Sequence, residues 1–107
     1  MTPYNLRQLN LMIDRINRYK KELIGLWGLI KDLEGLLNAL ENYDENWKDE
    51  FQSNWIELDV IYAVALDEGI SFEDSSVKND AFQTVDILKE MILSEIKGMI
   101  LTDDKNL

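Results

Sequence analysis

The chain has 107 residues, room for one domain with a modest core, and its 46% hydrophobic content belongs to a folded chain. Its formal charge of −10 sets any phosphate contact against the net field, which argues against direct nucleic-acid binding and favours encounter with cationic partners. The lack of cysteine and histidine excludes disulfides, thiol chemistry, Ser-His-Asp triads and the usual zinc and di-iron ligand sets.

The first expected element is a helix. Pro3, the only proline, suits a first helical turn, and Thr2 before it is an N-cap candidate. Leu6, Leu9, Ile13 and Ile16 then recur at helical spacing, with Arg7, Asp14, Arg15 and Arg18 on the other faces. Arg15, Arg18, Lys20 and Lys21 gather towards its end, where cations suit the helix dipole. The opening residues lack the apolar core of a signal peptide, and no apolar run approaches the about 20 residues needed to cross a bilayer. A soluble cytoplasmic protein without membrane contact is the expectation.

Gly25 and Gly28 interrupt the periodicity and place a turn within residues 21–27. A second helix is predicted from Leu29 to Glu41, with Ile30, Leu33, Leu37 and Leu40 on one side and Leu29 and Leu36 widening the stripe. Asp44 can cap a third helix from Glu45 to Glu68, and Gly69 stands in the usual glycine position past a C-terminus. Residues 71–80 read as a polar loop, with at most a helical turn. A fourth helix from Ala81 to Leu101 carries Val85, Leu88, Met91, Ile92, Ile96 and Met99, and residues 101–107 read as a frayed tail. Four helices with short connections predict a single all-α bundle.

The third helix is the informative one. At 100° per residue, Trp47, Phe51, Trp55, Leu58, Tyr62, Ala65 and Leu66 fall on one side and are expected core residues. Burial of the large aromatics is worth about 1.5–3 kcal/mol each, so folding accounts for them without a cofactor. Roughly opposite lie Asp49, Ile56, Val60, Ala63 and Asp67, with Glu50, Glu57 and Glu68 on one flank and Ile61 among them. Either this helix is central and buried on two sides, which is the favoured reading, or it exposes an apolar strip framed by carboxylates. The second arrangement has the composition of a surface for a basic, partly apolar partner.

Charge is uneven in the same sense. Residues 1–31 carry six basic and two acidic side chains, a balance of +4, whereas residues 32–107 carry five basic and nineteen acidic, a balance of −14. Carboxylates are the plentiful reactive groups, but metal-dependent nucleotide hydrolysis on a helical scaffold needs inward-facing Glu-x-x-Glu and Glu-x-x-Asp pairs, and the chain offers one Glu-x-x-Asp spacing and no Glu-x-x-Glu. Glu41-Asn-Tyr-Asp44 falls at a helix break, "DEGISFED" lacks calcium-loop spacing, and no Gly-Lys-Ser/Thr element follows the glycines. No catalytic residue, cofactor or metal ligand is therefore assigned; a carboxylate-only magnesium enzyme is a remote alternative.

One resemblance is carried by "DLEGLLNALE", then Trp47-x3-Phe51-x3-Trp55-x2-Leu58, then "IYAVALDEG". From Ile30 to Gly69 the chain resembles a loose group of small, all-helical bacterial proteins. Some of these are similar to immunity proteins of toxin–immunity pairs, including contact-dependent growth inhibition systems, which bind and block a toxin domain. The matching residues are mostly expected core residues, so no family binding residues are carried over. The resemblance implies an inhibitor of a cognate toxin, and a nuclease toxin with a basic cleft would match the acidic charge. The candidate partner-binding residues are Asp49, Glu50, Ile56, Glu57, Val60, Asp67, Glu68, Glu73 and Asp74. A monomer is expected over a dimer, because two copies of an acidic face repel. An adaptor that binds a basic partner unrelated to toxins is the alternative.

Overall fold

The computed structural model describes the backbone of residues 2–105 and the side chains of residues 2–100. Among the described residues four helices make up the fold: α1 (Pro3–Lys20), α2 (Leu26–Ala39), α3 (Glu45–Glu68) and α4 (Ser75–Lys105). There is no strand among the described residues, so the all-α bundle expected from periodicity is the observed fold.

Local signals set most of the helix ends. Thr2 caps α1 by accepting the backbone N–H of Asn5 at 3.2 Å. Asp44 caps α3 by accepting that of Asn46 at 2.9 Å. Gly69 closes α3 with φ +68°, a left-handed conformation that glycine adopts without a Cβ penalty. The next residue, Ile70, then bonds back to the Ala65 carbonyl at 2.8 Å.

Two boundaries differ from the sequence expectation. α2 starts at Leu26 rather than Leu29, because Gly25 takes the extended N-cap position and Gly28 is absorbed within the helix. An interior glycine costs about 1 kcal/mol relative to alanine, and burial of Leu26, Leu29 and Ile30 exceeds that. α4 starts at Ser75, six residues before the predicted Ala81. The Asp74 carboxylate accepts both the Ser76 N–H at 2.9 Å and the Ser76 hydroxyl at 2.6 Å, which caps the helix inside the polar run. Buried Val77 and Ala81 then extend the apolar stripe of Val85 and Leu88 backwards by two turns. α4 continues to Lys105 through part of the expected tail; Asn106 and Leu107 lie outside the described residues.

Each helix packs on two others, in the closed order α1–α2–α3–α4–α1. Long-range hydrogen bonds give the register. Asn5 at the start of α1 meets Glu41 past the end of α2. The Trp55 indole N–H donates to the Ile30 carbonyl at 3.0 Å between α3 and α2. The Asn54 amide approaches the Met91 sulfur at 3.6 Å between α3 and α4. Lys89 bonds Asn17 at 3.1 Å and Lys20 pairs with Asp86 between α4 and α1. Neighbouring helices are therefore antiparallel, an up-down-up-down bundle. The core between them is continuous, from Leu9, Met12 and Ile16 through Leu29, Ile30 and Leu33 to Phe51, Leu58, Val85, Leu88 and Ile92.

Candidate partner-binding surface

With Phe51 and Leu58 fully buried and Trp55 nearly so, the phase of α3 is the one its periodicity predicts. Trp47 is half-buried; it stacks on Phe51 with ring centroids 5.2 Å apart and meets Tyr43 edge-on at the same distance. Leu66 departs from the expectation and is exposed. The register that sets Ile30 opposite Trp55 runs α2 out at Leu26, so the last turn of α3 extends beyond the helix that would have covered it.

The opposite face decides between the two readings of α3. Ile56 is 45% exposed, Val60 48% and Val64 47%. The favoured reading, a helix buried on two sides, is therefore corrected: α1 and α3 are diagonal in the ring, and among the described residues no helix lies over the outer face of α3. Ile56, Val60 and Val64 follow one another at i, i+4 spacing and form an open apolar strip. Val64 was missed as a site residue, although that spacing from Val60 was the signal that could have found it. Ile87 on α4 is a further exposed aliphatic, one turn from Met91, which lies against Asn54.

Five of the predicted acids frame this strip. Asp49, Glu50, Glu57, Asp67 and Glu68 are exposed, and among the described residues none of the five has an ion-pair partner. Beside the C-terminal half of α3, a groove of about 350 Å³ runs from Val60, Val64 and Glu68 across to Ser76, Val77 and Asp80 of α4. Asp80 adds a carboxylate that the polar-loop reading of residues 71–80 concealed.

Glu73 and Asp74 are differently employed. Glu73 pairs with Lys78 at 2.7 Å, and Lys78 also pairs with Glu22. These bonds hold the Lys78 ammonium well above the ordinary lysine range and the Glu22 carboxyl below its own. Asp74 is held below the usual carboxylate range by its two bonds from Ser76. The basic end of α1 is likewise tied internally: Arg15 to Asp32 at 3.6 Å, Arg18 to Asp14 at 2.9 Å and Lys20 to Asp86. Among the described residues these ion pairs engage Arg15, Arg18, Lys20 and Lys78, whereas the five acids on the outward side of α3 stay unpaired.

Among the described residues no group of three or more carboxylates converges as a metal site, and no helix is long and apolar enough to cross a membrane. Compared with protein-family models, curated proteins and solved structures, the chain matches none.

Proposed function

We propose that the chain is an immunity protein, a non-catalytic cytoplasmic inhibitor that binds and neutralises a cognate toxin domain with a basic cleft, such as a nuclease. The observation that carries the reading is the outward face of α3, where unpaired Glu50, Glu57 and Glu68 flank the exposed strip of Ile56, Val60 and Val64 and unpaired Asp49 and Asp67 stand at its two ends. An apolar centre within a charged rim is the anatomy of a specific interface. Free carboxylates complement the potential that draws phosphate into a nuclease cleft, and long-range attraction speeds capture of a newly delivered toxin. The resemblance of residues 30–69 to a loose group of small helical bacterial proteins, some of them similar to immunity proteins, points the same way.

The test is co-purification with the product of the adjacent upstream gene, together with protection of cells that express it. A complex is expected, and its association rate should fall steeply as salt rises from about 0.01 to 0.15 M and the Debye length shrinks from about 30 to 8 Å. No complex and no protection would sink the proposal. The exposed aliphatic strip also suits an adaptor joined mainly through apolar contact; that reading predicts a complex whose association rate barely responds to salt.

A further inference from the structure

At the end of the bundle where the α1–α2 and α3–α4 connections meet, the chain lines an open pocket of about 340 Å³. The volume lies within the roughly 300–1,000 Å³ of small-ligand sites. Its walls are aromatic. Trp27, Tyr62 and Phe72 form a continuous stack with centroid separations of 4.9 and 4.8 Å, the second pair within 5° of parallel. Tyr19 meets Phe82 edge-on at 5.5 Å. At the mouth, Lys78 lies between Glu22 and Glu73, so two carboxylates face one ammonium. Glu22 reaches Lys78 from a left-handed backbone, φ +63°, a conformation uncommon for a residue with a side chain.

The molecule itself displays what these rings attract. The Lys31 ammonium sits 4.6 Å from the Trp27 ring centroid, and that of Lys20 sits 5.8 Å from Phe82. Both are cation–π contacts on the rings of this cluster. Trp27 nonetheless remains 46% exposed.

We propose that this open pocket is a binding site for a guanidinium on an apolar stem, supplied by an arginine side chain of a protein partner. Ring faces are negative, and the mouth carries one carboxylate more than it has cations to balance. A planar guanidinium can stack on the rings and bond a carboxylate at its edge. An anion would have to compete with both carboxylates for Lys78, and a neutral side chain would gain nothing from the excess carboxylate. The pocket is separate from the α3 strip, since Tyr62 lies about 160° around the helix from Val60 at 100° per residue. The origin of the arginine in a basic protein rests on the function proposed above; the preference of the pocket for a cation does not.

The experiment titrates the isotopically labelled full chain with N-acetyl-arginine methylamide, with the citrulline compound of the same shape and no charge, and with the leucine compound. Saturable NMR shifts are expected at the Trp27 indole and at the Leu23 and Gly25 amides, with the arginine compound binding about tenfold more tightly than citrulline. Glu73→Gln should weaken binding severalfold, and Lys78→Met, which removes the competing cation, should strengthen it. Trp27→Ala should abolish the preference for arginine while the variant keeps its helical circular dichroism and a cooperative melt. Equal binding of the citrulline or leucine compound would overturn the proposal, as would shifts confined to the α3 acids or indifference to both rim substitutions. A pocket that fails beside intact capture of the upstream gene product would overturn this inference alone; a pocket that binds arginine in a chain that captures no such product would overturn the toxin reading alone.

Discussion

The side-chain amide of Asn5 holds the α2–α3 connection against α1 through both of its ends. Its Nδ2 donates to the Glu41 carbonyl at 2.7 Å, and its Oδ1 accepts the Glu41 N–H at 2.9 Å. Asn5 is 2% exposed, and α2 has just ended at Ala39, so these backbone groups have no helical partner. Asn5→Ala should therefore cost about 2–3 kcal/mol in urea unfolding at neutral pH, since it leaves a donor and an acceptor unpaired together. Asn5→Asp should recover little of that, because a carboxylate can accept the N–H but repels the carbonyl. Nothing in the sequence singled Asn5 out: a polar residue in a first helical turn reads as solvated, and its partner stands 36 positions away. Thr2, Asp44 and Gly69 were legible for the opposite reason, because each acts on a backbone group a few residues from itself.

At the scale of the element, α3 separates packing from presentation. Phe51 is fully buried, and Phe51→Ala would be a cavity mutation of the class that costs about 3–5 kcal/mol. Val60 and Val64 lie on the other side, about half-exposed. The paired substitution Val60→Ser and Val64→Ser should change folding stability by less than about 1 kcal/mol in total, as surface replacements do. It should nevertheless weaken capture of the cognate partner by at least about tenfold, as loss of apolar contact at an interface centre does. Thermal melts of the free variant beside binding to the partner check both halves. Helical angle predicted the core side of α3 through Trp55 and Leu58 and misplaced Leu66, because an angle says nothing of where the neighbouring helix stops. The early start of α4 was hidden in a similar way: Asp74 caps it from within a run of polar residues whose composition alone resembles a loop.

The whole molecule should respond to pH at both extremes. Asp74 and Glu22 are held below their ordinary values of 3.8 and 4.5, so their contribution is complete above about pH 5 and lost as pH falls through the lowered values. The melting-temperature gap between the parent and Asp74→Ala should accordingly narrow between pH 7 and pH 3; comparison with that variant cancels the general relief of repulsion as the other acids protonate. On the alkaline side the signs reverse. Burial pushes the Tyr19 and Tyr43 phenols above 10.0, the latter helped by its bond to the Glu95 carboxylate, and Lys78 is raised above 10.5 by Glu22 and Glu73. Their stabilisation is complete below the unfolded values and lost as pH rises past them, so the melting temperature should decline above about pH 10.

By itself the sequence determined the helical class, the number of helices, the caps at Thr2 and Asp44, the glycine stop at Gly69 and the core side of α3 through Phe51 and Leu58. Periodicity and capping are short-range properties, and a single helix expresses them before it meets another. Only the tertiary structure decided that Ile56, Val60 and Val64 lie open, because α3 carries apolar residues on two sides and the closed order of the ring covers just one of them. It alone also brought Trp27, Tyr62, Phe72 and Phe82, four rings from three helices and a connection, around one open pocket. The carboxylates were countable from the start; which of them are free depended on where the cations of α1 and α4 came to rest.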